Sequence, residues 1–78
     1  MENIELYKIL IDMGFTEGES KVYLALLTLG ESKVGSIIKN SGISRSKVYD
    51  ILEKLKSKKV VSKIEKMGLL YYQALPPQ

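Results

Sequence analysis

The stretch SGISRSKVYDILEKLKSKKVV, residues 41–61, decides the fold of this chain. It starts with a turn at Gly42, and Ser44 stands where a helix needs an N-cap. Apolar residues then recur at positions i, i+3, i+4 and i+7, which is the spacing of one buried helical stripe. They are Val48, Ile51, Leu52 and Leu55. The stretch therefore predicts a turn followed by a helix over residues 45–58, with one buried side and one polar, basic side.

Two helices are predicted upstream of this stretch. Residues 4–13 have a helical pattern, which Gly14 ends. Thr16 and Glu19 then have the T-x-x-E spacing of a capping box, in which each side chain satisfies a backbone N–H group of the other residue. The box precedes the apolar run of residues 22–29, so it predicts the start of the second helix.

A short third helix and a β-hairpin complete the predicted layout. Ser32 is placed to cap a helix over residues 34–40, which Gly42 stops. Residues 60–65 and 69–75 are β-rich runs separated by a Lys-Met-Gly turn, and a Pro-Pro pair closes the second run.

The order of these elements predicts the fold class. A short helix joined by a glycine turn to a longer one, with a terminal hairpin, is the order of a winged helix-turn-helix. We expect a mainly α fold with a C-terminal β-hairpin. At 78 residues the chain is long enough for one small domain, so we expect a single domain over residues 1–78 with a tail at 76–78.

Composition excludes several classes of function. The chain has no cysteine and no histidine, which removes thiolate metal sites, the commonest metal ligand and the commonest general base. We therefore expect no catalytic residue, no metal, no cofactor and no enzymatic activity. No apolar run approaches the roughly 20 residues of a membrane span, and the N-terminus is acidic where a signal peptide would be basic. These features predict a cytoplasmic protein without a membrane partner.

Charge is distributed unevenly along the chain. Residues 1–31 carry two lysines and six acidic residues, a net charge of −4, whereas residues 32–78 carry ten Lys or Arg and three acidic residues, a net charge of +7. A basic half is typical of proteins that bind polyanions, although charge alone fits a solvated surface equally well.

Three separated segments carry a family resemblance. They are GFTEGESKVYLALLTLG at residues 14–30, SGISRSKVYDILEKL at 41–55 and YYQALPP at 71–77. In register, they resemble the N-terminal DNA-binding domain of the TrmB family of archaeal and bacterial sugar-responsive transcriptional regulators. The resemblance covers about residues 8–77, and its most specific part is the run at 45–50. It implies a winged helix-turn-helix that binds DNA.

The chain departs from the family pattern at three positions. Ser44 stands where the family often has proline, and Gly35 lies inside a helix, where glycine is unfavourable. Val60 stands where the family usually has glycine after the recognition helix, and a β-branched residue tolerates a positive φ poorly. Family members also generally continue into a C-terminal domain that binds sugars and dimerises. We expect no small-molecule effector domain in this chain.

The polar side of the fourth helix is the candidate DNA-reading surface. In this fold its N-terminal end enters the major groove, where Arg45 or Lys47 can pair with guanine and Ser46 can reach a base edge or a phosphate. The residues predicted on this surface are Ser44, Arg45, Ser46, Lys47, Tyr49, Asp50 and Lys54. Lys54 on this helix and four further residues, on the third helix and on a wing over residues 63–71, are predicted to hold the phosphate backbone. The four further residues are Lys33, Ser36, Lys63 and Lys66.

Some side chains on this helix have structural alternatives. Tyr49 can flank the core with its hydroxyl at the rim. Asp50 can accept a hydrogen bond from a cytosine amino group, but an ion pair with Lys54 one turn later is favoured. Three further lysines near the helix end are predicted to be solvated charges that complement the helix dipole. They are Lys56, Lys58 and Lys59.

The first helix, over residues 3–13, has more apolar surface than one core can cover. Its apolar residues span roughly 220° at 100° per residue, whereas a surface helix needs a stripe only somewhat wider than about 100°. The surplus predicts a dimer interface around Ile4, Tyr7 and Ile11, packed on the same helix of a second copy across a two-fold axis. The alternative is that the hairpin wraps this helix and covers both sides.

Together these features predict a homodimeric, nucleoid-associated transcriptional regulator that binds double-stranded DNA sequence-specifically. The rival hypothesis is a winged-helix module that binds other proteins in a transcription or remodelling complex without contacting DNA. A neutral recognition helix would favour that rival, but residues 45–58 are basic.

Overall fold

A computed structural model describes residues 3–75 of the chain. Four helices are followed by two antiparallel strands. Their bounds are α1 Asn3–Asp12, α2 Glu17–Leu29, α3 Val34–Ser41, α4 Arg45–Ser57, β1 Val61–Lys66 and β2 Leu69–Ala74. This order confirms the winged helix-turn-helix class. The Pro-Pro pair predicted to close the hairpin, and the predicted tail, lie outside the described residues.

The connection between α1 and α2 forms as the sequence predicts. Gly14 adopts a φ of +101°, which glycine tolerates best, and α1 ends just before it. The capping box is complete, because the backbone N–H of Glu19 donates to the Thr16 hydroxyl at 3.1 Å and the backbone N–H of Thr16 donates to the Glu19 carboxylate at 2.9 Å. Two of the unpaired amides at the start of α2 are thereby satisfied.

The prediction that Ser32 caps α3 is wrong. Lys33 occupies the N-cap position and makes no side-chain capping bond. The Ser32 hydroxyl donates instead to the Gly30 carbonyl at 2.8 Å. The Ser32 backbone forms a β-bridge with Tyr72, with hydrogen bonds of 2.9 and 2.8 Å. Ser32 therefore ties the loop after α2 to the hairpin.

The turn between α3 and α4 depends on a left-handed glycine. Gly42 has a φ of +73°, and its N–H donates to the carbonyl of Ile38 at 2.9 Å, which ends α3. Ser44 takes the predicted N-cap position with extended backbone, but its side chain makes no capping hydrogen bond. The carbonyl of Ser44 accepts the first helical bond, from the N–H of Val48 at 2.9 Å.

Helix α4 ends one residue earlier than predicted, and it ends in a Schellman motif. The N–H of Val60 donates to the carbonyl of Leu55 at 3.1 Å, and the N–H of Lys59 donates to that of Lys56 at 3.0 Å. The residue in the left-handed conformation is Lys59, with a φ of +66°. Val60 therefore does not have to adopt a positive φ.

The core lies between the helices and the base of the hairpin. All four helices and both strands contribute buried apolar side chains to it. The hairpin is closed by Met67 and Gly68, whose positive φ values of 52° and 80° are those a type I′ turn requires. At the other end of the hairpin the Tyr23 hydroxyl donates to the carbonyl of Leu75 at 2.7 Å. The wing is thus fixed at its base.

Candidate nucleic-acid interface

Helix α4 separates a buried stripe from an exposed polar face. Val48, Leu52 and Leu55 are fully buried, and Ile51 is half-buried against α2. All seven residues predicted on the candidate DNA-reading surface of α4 are exposed. They are Ser44, Arg45, Ser46, Lys47, Tyr49, Asp50 and Lys54. The stripe holds the helix in the domain, and the whole predicted face is available to a partner.

The N-terminal turn of α4 has the densest group of potential DNA contacts. Arg45, Ser46 and Lys47 are consecutive and exposed, and the Ser44 side chain leaves the amides of this turn without a capping acceptor. Free amides and the positive end of the helix dipole favour a phosphate oxygen at this point. A guanidinium at the helix start can also form two parallel hydrogen bonds to guanine.

The structure places two side chains of this face for which the sequence left alternatives open. Tyr49 is 46% exposed, which fits both a DNA contact and a position flanking the core. The favoured ion pair of Asp50 with Lys54 does not form, because among residues 3–75 no basic nitrogen lies within 4 Å of the Asp50 carboxylate. Asp50 is therefore free to accept a hydrogen bond from a base.

The four residues on α3 and the wing that are predicted to contact the phosphate backbone are exposed. They differ in whether they already form an ion pair within the domain. Lys33 and Ser36 lie at the start of α3, and Lys63 lies in the middle of β1. Lys66 forms an ion pair with Glu31 and lies 5.8 Å from the centre of the Tyr71 ring. The hydrogen bond to the Glu31 carboxylate raises the pKa of Lys66. Lys66 thus already has a counter-charge within the domain.

The lysines at the end of α4 are not all solvated charges. Lys58 donates to the Glu19 carboxylate at 2.9 Å, and that carboxylate is almost completely buried, so the prediction is wrong for Lys58. Lys56 pairs at 3.7 Å with Glu53 on the exposed surface, where such pairs contribute little. Lys59 is exposed and occupies the left-handed position after the helix.

A shallow groove between the end of α4 and β1 gathers three of these cations. Lys56, Lys59 and Lys63 line it, with Glu65 at one side. Of these three lysines, only Lys63 was predicted from the sequence to contact DNA. The grouping was hidden because it depends on how the hairpin folds back on α4, and no spacing along the chain reports that. The groove adds Lys56 and Lys59 to the candidate backbone contacts.

Helix α1 leaves much of its apolar surface uncovered. Leu10 is buried, and α1 packs chiefly against α2. Ile4 and Ile11, two of the three residues predicted at a dimer interface, are exposed, with 60% of the Ile4 side chain accessible, and Tyr7 is half-buried. The hairpin does not cover this side of the helix, so the alternative of a wrapped α1 does not apply to the described residues.

The comparison with known protein families decides the classification. The family model described as sugar-specific transcriptional regulator TrmB matches residues 10–78 of the chain.

The chain belongs to the TrmB family.

Two relatives of this TrmB domain show how far the similarity extends. HTH-type sugar sensing transcriptional regulator TrmBL1 from Pyrococcus furiosus is 38% identical over 72 residues, which are 92% of this chain and 21% of that protein. Uncharacterized protein YrhO from Bacillus subtilis is 49% identical over 47 residues, 60% of this chain and 17% of that protein. The chain therefore spans about one fifth of the length of these relatives.

Solved structures share the fold of the TrmB domain. TrmBL2, described as an archaeal chromatin protein with a novel mode of DNA binding, superposes with a TM-score of 0.84 at 19% identity, over 99% of this chain and 30% of that one. BpsR from Bordetella bronchiseptica, whose DNA binding is described as regulated by 6-hydroxynicotinic acid, gives 0.79 at 20% identity, over 96% and 56%. A MarR family protein from Bacillus stearothermophilus gives 0.75 at 18% identity, over 87% and 49%.

Metal sites and membrane spans are both absent from the described part of the TrmB domain. Residues 3–75 contain no group of three or more acidic, histidine or cysteine residues placed to hold a metal ion. Within the same range, every helix is too short or too polar to cross a bilayer.

Proposed function

We propose that this TrmB domain binds double-stranded DNA sequence-specifically and serves a transcriptional regulator, with α4 in the major groove and the hairpin along the phosphate backbone. The observation that carries the proposal is the division of α4. Its apolar stripe is buried in the core, while its N-terminal turn presents Arg45, Ser46 and Lys47 to solvent on a helix-turn-helix. That arrangement is the one by which this fold reads base edges.

Contacts to bases and contacts to phosphates are made by different parts of the proposed DNA-binding surface. Arg45 or Lys47 pairs with guanine O6 and N7, and Asp50, which has no ion-pair partner among residues 3–75, accepts from a cytosine amino group. Lys33, Ser36 and the groove lysines contact phosphates, which fix the register of the helix without reading sequence.

We further propose that the domain acts as a homodimer through α1. The exposed isoleucines on this helix form an apolar surface that a second copy covers by a two-fold arrangement. Two recognition helices about 34 Å apart would then read successive major grooves of a pseudo-palindromic site.

Selection of bound sites from random duplex DNA tests the proposal. Enrichment of one pseudo-palindromic sequence is expected, and its half-site spacing reports the dimer geometry. The affinity for the selected site should fall with salt, with a log-log slope of about −4 to −5 per subunit if four to six phosphates are neutralised. A pool without enrichment, together with a flat salt response, would support the rival hypothesis of a protein-binding module.

A further inference from the structure

We infer that the first turn of α2, residues 16–19, is an anchor turn that sets the angle of the recognition helix, with Gly18, Glu19 and Lys58 as positioning residues for DNA binding. The inference rests on the proposed function, since it concerns how that function obtains its geometry. None of the three residues is among the predicted DNA contacts. Each instead holds α4 against α2.

The C-terminal end of α4 is held by a buried carboxylate. Glu19 is 3% exposed, and one of its oxygens accepts hydrogen bonds from Lys58 and from the backbone N–H of Thr16, both at 2.9 Å. The Lys58 ammonium also lies 4.8 Å from the centre of the Phe15 ring, over its face. Lys58 is the C-cap residue of α4, so this contact holds the C-terminal end of the helix against α2.

The charge state of Glu19 matches a fixed ion pair. Burial raises the pKa of this carboxyl, but the hydrogen bonds from Lys58 and Thr16, together with the charges of Lys58 and Lys54, outweigh burial and lower the pKa below its usual value. The carboxylate is therefore ionised at neutral pH. A buried ionised group whose partner is removed is strongly unfavourable, so the pair holds the helix end in one place.

The middle of α4 is held by a close approach at Gly18. A Cβ atom built at this position would lie 2.9 Å from Cδ1 of Ile51, so a methyl group here would require the far end of the Ile51 side chain to move. Glycine at this position lets Ile51 pack directly on the backbone of α2. Lys58 follows Ile51 by seven positions, so the two contacts lie about 10 Å apart along the helix axis.

Two contacts at that separation define a direction. Arg45 lies beyond Ile51, about 20 Å from the Lys58 end. A tilt of roughly 5° about that end would move the first turn by nearly 2 Å, whereas contacts to bases demand placement within about 0.5 Å. Loosening the anchor turn should therefore impair base reading although no DNA contact is removed.

The test compares Glu19→Gln and Lys58→Met with the parent chain on the selected duplex and on a scrambled duplex, each over a range of salt concentrations. Both variants should lose about tenfold in affinity for the selected duplex and less for the scrambled one, because misplacement affects base contacts most. The salt slope of Lys58→Met should not change, since in the parent chain the Lys58 charge is neutralised by Glu19 and is not a phosphate contact.

For Glu19→Gln, a positioning role and a purely electrostatic role predict changes in DNA affinity of opposite sign. Removing a negative charge near DNA should tighten binding if charge alone matters, whereas the anchor turn predicts weaker binding to the selected site. Glu17→Gln is the matched control, because Glu17 lies on the same turn, pairs with Lys21 at 3.4 Å on the exposed surface and forms no ion pair with α4 among residues 3–75. It removes the same charge, so it should not weaken binding to the selected duplex. Lys58→Arg retains the charge and should recover most of the affinity that Lys58→Met loses. It also serves as the test variant if Lys58→Met folds poorly.

Amide hydrogen exchange provides a readout without DNA. The N–H of Val60, bonded to the carbonyl of Leu55, should exchange faster in Glu19→Gln and Lys58→Met but not in Glu17→Gln. A parent chain that binds no DNA would refute the proposed function and leave this readout intact. Unchanged exchange, unchanged or tighter binding by Glu19→Gln, or a salt slope that falls by about one in Lys58→Met would each overturn the anchor turn.

Discussion

Arg45 and Lys63 are both exposed cations, but they stand at different places on the proposed DNA complex. Arg45 starts the recognition helix, where side chains reach base edges. Arg45→Ala should cost about 1–3 kcal/mol on the selected site and much less on random DNA, because a bidentate contact to guanine is lost. Titration of both duplexes by fluorescence anisotropy measures the difference. Equal losses on the two duplexes would show that Arg45 contacts phosphate.

The wing lysines provide the control for Arg45. Lys63→Ala should weaken binding to both duplexes by similar factors and reduce the salt slope by about one. Lys66→Ala should change the slope less, because Lys66 is already paired with Glu31 in the free domain. A larger effect at Lys66 than at Lys63 would mean that DNA displaces Glu31.

Lys59 stores local strain that can be removed. It is a non-glycine residue with a φ of +66°, a conformation that costs an L-residue roughly 1–2 kcal/mol. Lys59→Gly should stabilise the domain by about 1 kcal/mol, or about 4–8 °C in thermal midpoint for a domain of this size. Lys59→Ala is the matched control, since it removes the same charge and keeps the strain. Equal midpoints for the two variants would contradict this explanation.

At the scale of elements, two glycines occupy the same helical position with opposite surroundings. Gly18 and Gly35 are each the second residue of their helix, α2 and α3. A Cβ at Gly35 would meet nothing within 4 Å, whereas one at Gly18 would meet Ile51. Gly35→Ala should therefore stabilise the domain by about 0.5 kcal/mol through helix propensity. Gly18→Ala should gain less or destabilise, and denaturant unfolding of both variants measures the contrast. A larger gain at Gly18 would mean that Ile51 moves aside at little cost.

Elements whose signals are local in sequence could be predicted. The capping box at Thr16 and Glu19, the turn at Gly42 and the buried stripe of α4 each depend on residues within one or two turns of each other. Together they were sufficient for the fold class and for the exposed face of the recognition helix.

Features that depend on distant partners could not be predicted. Ser32 has the sequence position of a cap, but its partner Tyr72 lies forty residues later, and pairing with the hairpin competed successfully with capping. Lys58 looks like a surface charge until Glu19, 39 residues earlier, is placed beside it. The positive φ after α4 fell on Lys59 instead of Val60, because the Schellman hydrogen bonds fix which residue turns.

At the scale of the whole molecule, the fold pairs the basic half of the chain with the acidic half. The ion pairs of Lys58 with Glu19 and Lys66 with Glu31 each join the two halves. The basic charge available to DNA is therefore smaller than the +7 of residues 32–78. The salt response should reflect the unpaired cations on α3, α4 and β1.

The dimer proposal also belongs to this scale. Ile11→Glu places a charge on the exposed apolar side of α1 and should dissociate the dimer at micromolar concentration without unfolding the domain, because Ile11 lies outside the buried core. Sedimentation velocity reports the association state, and circular dichroism reports the fold. Glu5→Lys, a charge reversal at least about 100° around α1 from Ile4 and Ile11, is the control. A monomeric parent chain would refute the proposal.

Among the described residues, the outer edge of β1 is an unpaired strand edge, and this affects how readily the domain aggregates. Within residues 3–75, β1 forms strand hydrogen bonds with β2 alone, so its outer edge retains unpaired backbone groups. Such edges recruit strands from other molecules and start aggregates, and charged side chains are a common protection. Lys59 and Lys63 line the groove beside this strand, so two identical edges repel each other. The lysines proposed to hold a phosphate backbone should also keep free molecules apart, and a polyanion or high salt that screens them should remove this protection against fibrils.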